Sequence, residues 1–69
     1  MVTVFKTNVT KNREAKQLIN HLLDLLPGSR INIDLQDCDK VLRVEADNCQ
    51  EGKIMRLVQR TGFTCSPLP

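Results

Sequence analysis

The stretch AKQLINHLLDLLPGSRINIDL, residues 15–35, decides the fold because its apolar period changes in the middle. Apolar residues stand at positions 15, 18, 19, 22, 23 and 26, which is the spacing of one face of an α-helix. Pro27 cannot continue that helix, and Gly28 suits a left-handed cap at its end. Residues 31–35 then alternate apolar with polar, which predicts a half-buried strand.

The segments on either side extend this pattern. Residues 2–7, VTVFKT, are β-branched and aromatic and predict a strand that precedes the helix. In the polar connection between them, Thr10 or Asn12 is expected to cap the helix. After residue 35, a polar turn at 37–40 leads to a second alternating stretch, 42–46, and the two strands form a hairpin.

A second helix and a last strand complete the chain. Asn48, with Glu51 three residues on, resembles a capping box, and apolar residues at 54, 57 and 58 follow at helical spacing. Gly62 is expected to end this helix, and residues 63–68 to form a short strand that two prolines close.

The order β-α-β-β-α-β predicts one α+β domain over residues 1–69 with the ferredoxin-like topology. Both one-faced helices pack on the same face of a four-stranded antiparallel sheet, whose strand order is 4-1-3-2. A chain of 69 residues is too short for a second core, and it has no interior to spare for a deep active site.

Charge and composition argue against several classes of protein. The net charge is +2, with ten basic and eight acidic residues interspersed, so no nucleic-acid partner is expected. The chain has no run of 18 apolar residues, which argues against a membrane span. Its first residues, MVTVFKTN, do not form a signal peptide, and the cysteine number is odd, at 38, 49 and 65, without a CxxC pair. Reduced thiols and a cytoplasmic location are therefore predicted.

Several of these features together resemble the heavy-metal-associated domain of copper chaperones and copper-transporting ATPases, over about residues 5–63. The first helix ends in Leu26-Pro27-Gly28, as in that family, and Ile54, Leu57-Val58 and Gly62-Phe63 match the second helix and its end. The resemblance implies the same fold. It also implies a first loop that, in the family, carries the motif GMxCxxC and binds Cu(I) or another soft metal.

The residues of that motif differ here. Asn12 and Ala15 stand where the family has its two cysteines, and Val9-Thr10 replaces Gly-Met. Neither an amide nor a methyl group replaces a thiolate as a ligand for a soft ion. The resemblance therefore predicts the family scaffold without its metal site, with no cofactor and no catalytic residue.

Cys38 and Cys65 are the weak alternative metal ligands. Both are predicted at the first-loop end of the sheet, but three strand spacings separate them, roughly 14 Å. Two thiolates on one metal lie only about 4–5 Å apart, so one chain is not expected to chelate with this pair. A Cys38–Cys38 site for Cu(I) or Zn between two chains stays open as an alternative.

The other chemistry-bearing residues have ordinary structural interpretations. His21 is a lone surface histidine, Phe63 and Cys65 are packing residues, and Cys49 occupies the first turn of the second helix. Val2 and Val4 are expected to face away from Phe5, toward the sheet face without helices, where they mark a contact surface or a dimer face. A basic patch near the first loop would comprise Lys11, Arg13, Lys16, Lys40 and Arg60.

Enzymes and RNA-binding proteins with this topology need features that the chain lacks. Acylphosphatases need a phosphate-cradling loop with an arginine, and the loop TNVTKNRE has no glycine-rich cradle. RNA-recognition modules stack bases on aromatic residues of the central strands, and strand LRVEAD has none. The sequence therefore predicts a non-enzymatic module that docks a protein partner or a second copy of itself, with a Cu or Zn carrier as the alternative.

Overall fold

The order of elements is β-α-β-β-α-β, as the sequence predicts, in a computed structural model that describes residues 1–48 and 50–68. The elements are β1 (Val2–Thr7), α1 (Asn12–Leu25), β2 (Arg30–Asp34), β3 (Val41–Glu45), α2 (Glu51–Arg60) and β4 (Cys65–Pro67). The prediction that Cys49 occupies the first turn of the second helix lies outside the described residues.

The strands form one antiparallel sheet with the order β2-β3-β1-β4. This is the predicted order 4-1-3-2 read from the opposite edge. Phe5 of β1 lies opposite Leu42 of β3 on one side and Pro67 of β4 on the other. The ferredoxin-like prediction is confirmed, and β2 and β4 are the two edges of the sheet.

The core lies between the sheet and the two helices. The largest fully buried side chains come from β1, the first loop, α1, β3 and α2: Phe5, Val9, Leu18, Leu22, Leu42, Val44, Ile54 and Val58. Both helices therefore cover the same face of the sheet, and no helix of residues 1–48 and 50–68 lies on the opposite face. Burial of these apolar side chains is the main favourable term for a domain of this size.

The first helix ends as predicted but begins differently. The backbone N–H of Leu26 donates to Leu22 O at 2.8 Å, and Gly28 has a φ of +81°, a left-handed conformation that favours glycine. At the start, Lys11 is the N-cap and no side chain caps the helix, so the prediction of Thr10 or Asn12 is wrong. Val9 is fully buried just before the helix, and this packing, rather than a cap, positions the chain.

The prediction of a capping box at the start of the second helix is also wrong. Gln50 is its N-cap, with no side-chain hydrogen bond, and Glu51 is the first helical residue. A capping box needs its glutamate at the third helical position, where it reaches back to the cap. Glu51 stands two residues too early for that role.

The last strand is shorter than the predicted range 63–68, because it covers only Cys65–Pro67. The backbone N–H of Phe63 donates to Val58 O at 3.2 Å, and that of Thr64 donates to Asn8 Oδ1 at 2.8 Å. These two groups are therefore engaged outside the sheet, and pairing with β1 begins at Cys65.

Candidate functional site

The first loop is tied to the hairpin turn by the inward-facing residue Thr7. Thr7 is only 5% exposed, its backbone N–H donates to Asp39 O at 3.1 Å, and its hydroxyl donates to Lys40 O at 2.6 Å. The same hydroxyl oxygen accepts the backbone N–H of Val9 at 3.4 Å. Sequence reasoning missed this role, although the strand period places Thr7 on the same face as Phe5, where a polar residue needs partners.

The hairpin turn is held by its own carboxylates. Asp34 Oδ1 accepts the backbone N–H groups of Gln36 at 3.0 Å and Asp37 at 3.3 Å. The Asp37 carboxylate accepts the N–H of Asp39 at 2.9 Å. Lys40 has a φ of +48°, which is uncommon for a residue with a side chain. The acidic residues of this turn therefore stabilise its backbone conformation.

The two positions that the sequence resemblance predicts to correspond to the family's cysteines lie at the start of α1. Asn12 is exposed and is the first residue of the helix, whereas Ala15 is 7% exposed and belongs to the core. Residues three apart on a helix are neighbours, so the spacing suits two converging ligands. The groups present there are an amide and a methyl, and neither is a ligand for a soft metal.

The structure does not bring Cys38 and Cys65 together. Cys38 is exposed in the hairpin turn, whereas Cys65 is buried in the core opposite Thr7. Strands β3 and β1 lie between the two edges of the sheet, β2 and β4, near which these cysteines lie. The prediction that Cys65 is a packing residue is confirmed.

Cys38 has two carboxylates beside it. The ligand atoms of Asp37, Cys38 and Asp39 lie within 4.8 Å of one another. Both carboxylates have other partners, because Asp37 accepts the Asp39 N–H and Asp39 lies 3.6 Å from the ammonium of Lys6. The cluster is therefore explained by the turn and by an exposed ion pair.

Burial raises the pKa of the Cys65 thiol from 9.0 to about 11. The apolar surroundings disfavour the thiolate, which is the form that binds metals and acts as a nucleophile. Cys65 is therefore inert near neutral pH.

The raised pKa predicts that the domain loses stability in alkali. The unfolded thiol ionises near pH 9.0 and the folded thiol near about 11, so its contribution is complete below pH 9 and falls as the pH rises toward 11. The loss is at most about 2–3 kcal/mol. Urea unfolding at about pH 8 and about pH 10.5 measures it.

Cys65→Ala is expected to remove this part of the alkaline loss, and the matched Cys38→Ala variant is expected to retain it. An identical pH dependence in the Cys65→Ala variant and the unmodified chain would contradict the prediction.

The sheet face without helices, called here the open face, carries apolar residues among charged ones. Val2 is 48% exposed, and Val4 and Val41 are half-buried. Val2 lies opposite Glu45, and Val4 lies opposite Arg43. The residues of this face are Val2, Val4, Lys6, Arg30, Asn32, Asp34, Val41, Arg43 and Glu45. Two shallow grooves of about 230 and 210 Å³ run between its charged side chains.

The five residues of the predicted basic patch occupy different surroundings. Lys11, Arg13 and Lys16 are exposed at the start of α1. The Lys40 ammonium is half-buried and donates to Leu35 O at 2.8 Å, so it belongs to the hairpin turn. Arg60 lines a groove of about 180 Å³ between the helices, together with Leu25, Lys53, Arg56 and Leu57.

His21 and Phe63 lie where the sequence predicts. His21 is exposed on α1, and Phe63 is half-buried against the core.

Comparison of the chain with protein-family models and with curated proteins gives no match. Over the described residues, neither helix has the length and apolar character that crossing a membrane requires.

Proposed function

We propose that this chain is a small non-enzymatic docking domain, similar to the heavy-metal-associated domain but without its thiolate pair, which binds a protein partner through the open face. The open face is the observation that carries the proposal. Three valines lie on it among charged residues, and no helix of the described chain covers it.

An antiparallel sheet tolerates one solvated face when that face is polar. Here Val2 and Val4 follow each other on the open face of β1, and Val41 of the neighbouring strand β3 lies diagonally from Val4. Partly exposed apolar side chains that are rimmed by polar groups are typical of interaction surfaces. The remainder of the face supplies the rim.

The charges of the rim define the partner. Lys6, Arg30 and Arg43 are cationic, and Asp34 and Glu45 are anionic. Arg43 lies directly opposite Val4 and Lys6 follows Val4 on the same face of β1, whereas Glu45 lies directly opposite Val2. The rim therefore carries three cations and two anions, and the complementary partner is a protein surface with an apolar centre and a rim in which carboxylates predominate.

A photoreactive amino acid placed at Val4 tests this proposal in the reduced full chain in cells. We expect one discrete protein adduct, which an excess of unmodified chain suppresses and an excess of the Val2→Glu variant does not. The matched control places the same probe at Gln59, an exposed residue of α2 on the opposite side of the sheet. The same adducts from both positions would contradict docking through the open face.

The alternative function, a carrier of Cu(I) or Zn, would use Cys38 between two chains. The proposal of a docking domain is favoured because Cys65 is buried with a raised pKa and the carboxylates beside Cys38 have other partners. Tight one-to-one Cu(I) binding by the reduced chain would refute the docking proposal. Metal retention in a dimer that is lost in the Cys38→Ser variant would favour the carrier.

A further inference from the structure

The edge strand β2, Arg30–Asp34, is paired on one side only. It forms hydrogen bonds with β3, and beyond it the sheet of the described chain ends. An open edge presents a row of backbone N–H and C=O groups, to which another strand pairs readily. The sequence of this strand, RINID, decides which strand fits there.

The outward backbone groups of β2 follow from the hydrogen-bond pattern of the sheet. The N–H of Ala46 donates to Met1 O at 3.0 Å, which makes these opposed residues a hydrogen-bonded pair of β1 and β3. Bonding direction alternates along a strand, so residues 41, 43 and 45 of β3 bond to β2. Their partners are residues 34, 32 and 30. The N–H and C=O groups of Ile31 and Ile33 therefore point out of the edge.

We propose that two copies of this chain pair their β2 strands antiparallel about a two-fold axis at Asn32, which joins the two sheets into one. In this register Ile31 forms a hydrogen-bonded pair with the partner's Ile33, and Ile33 pairs with the partner's Ile31. About four backbone hydrogen bonds result. The backbone groups that pair in this register are those of Ile31 and Ile33, which point out of the edge in both copies.

The side chains are complementary in the same register. Reversed, the strand reads DINIR, so Arg30 lies opposite the partner's Asp34, and Asp34 lies opposite the partner's Arg30. Asn32 lies opposite the partner's Asn32 on the axis. These are non-hydrogen-bonded pairs, in which side chains approach most closely and opposite charges attract.

Other registers lose this match. A shift of one residue puts side chains on the wrong face and removes the fit of the backbone groups. A shift of two residues keeps the backbone pairing, but then Arg30 no longer faces the partner's Asp34. Charges on an edge strand usually prevent pairing, and here their opposite signs at the two ends permit this one arrangement.

The Asp34 carboxylate has capacity for the contact. Its Oδ1 accepts the N–H groups of Gln36 and Asp37, which holds the carboxylate beside the strand. The second oxygen is available for the guanidinium of the partner's Arg30. Within its own chain Arg30 lies opposite Glu45, so in the pair its guanidinium is placed between two carboxylates.

On the helix side of the sheet, pairing covers apolar surface. Ile31, Ile33 and Leu35 are only partly buried against the core. Leu23 of α1 is 37% exposed, and it lies about 200° around the helix from Leu25, which faces α2. Leu23 is therefore on the flank of α1 toward β2, because α1 packs on that strand. The partner's isoleucines lie next to this flank.

A groove at the edge leaves room for the added strand. It has a volume of about 370 Å³ and is lined by Ile33 and Leu35 together with Asn12 at the start of α1. The pairing uses the edge of the sheet and leaves the open face uncovered, so it does not depend on the proposed function. In the dimer the two open faces become one continuous surface.

The test is the mass of the reduced chain in solution, measured by sedimentation over a concentration series in a Cys38→Ser background. We expect a reversible dimer. Arg30→Asp places like charges opposite each other at both ends and is expected to weaken the dimer at least about tenfold, or about 1.4 kcal/mol. The matched control Arg56→Asp makes the same charge change on α2 and leaves the dimer unchanged.

A second substitution makes the register itself testable. Asp34→Asn keeps the oxygen that holds the turn and removes the charge. We expect it to weaken the unmodified dimer, where Asp34 faces the partner's Arg30, but to strengthen the Arg30→Asp dimer, where it relieves repulsion. Such a change of sign requires the two positions to be in contact.

Two results would overturn the proposal. One is a reduced chain that stays monomeric up to about 1 mM, which corresponds to less than about 4 kcal/mol of association. The other is a dimer in which Asp34→Asn has the same effect in both backgrounds. Circular dichroism of each variant verifies that its fold is retained, so the masses compare folded chains.

Discussion

Replacing both Asn12 and Ala15 by cysteine is expected to create a Cu(I) site that binds at least about a thousandfold more tightly than the unmodified chain, a gain of about 4 kcal/mol. The two positions are three residues apart at the start of α1, where side chains are about 5–6 Å apart at Cβ. Two thiolates at that spacing reach one soft ion, and the neighbouring Lys11 and Arg13 favour the thiolate form. A competition titration against a Cu(I) chelator under reducing conditions measures the gain.

The matched control replaces the same two residues by serine, which is similar in size but offers oxygen in place of sulfur. The serine variant and each single cysteine variant are expected to bind Cu(I) no more tightly than the unmodified chain. Ala15 is part of the core, so unfolding curves of the cysteine and serine variants are compared first. If the folded double-cysteine variant matches the serine variant, the correspondence of these positions to the family motif is wrong.

Much of the fold follows from the period of the apolar residues. The change from helical to alternating spacing at Pro27-Gly28 predicts where α1 gives way to β2, and both elements lie there. The strand order follows because two one-faced helices need the same sheet face and the crossovers between parallel strands are right-handed. The start of α1 could not be predicted from capping residues, because the burial of Val9, and not a capping side chain, positions this helix.

The organisation of the first-loop end could not be predicted from local patterns. The Thr7 hydroxyl bonds to Lys40 O, a residue 33 positions away in the chain, and Asn8 bonds to Thr64, 56 positions away. Neither contact produces a periodic pattern or a characteristic spacing of residues in the sequence. The complementarity of RINID also becomes meaningful only once β2 is known to be an edge strand and its outward backbone groups are known.

Phe5→Ala is expected to unfold the domain or to leave it barely stable. Phe5 is fully buried in a central strand, opposite Leu42 of β3 and Pro67 of β4. Removing a buried phenylalanine side chain costs about 3–5 kcal/mol. Folded domains have only about 0.05–0.15 kcal/mol of stability per residue, so for 69 residues the loss approaches the total. Urea unfolding followed by circular dichroism measures it.

Two further variants separate loss of core packing from a general effect on β1. Phe5→Leu keeps an apolar side chain in the core, so we expect a folded protein with a smaller loss of stability. Val2→Ala lies on the same strand but on the open face, and it is expected to change stability by no more than about 0.5 kcal/mol. Because the core contains no tryptophan or tyrosine and only one fully buried aromatic ring, few other side chains could fill the space that Phe5 leaves. An unfolding midpoint of Phe5→Ala equal to that of Val2→Ala would show that β1 does not direct Phe5 into the core, and the assignment of the open face would fail with it.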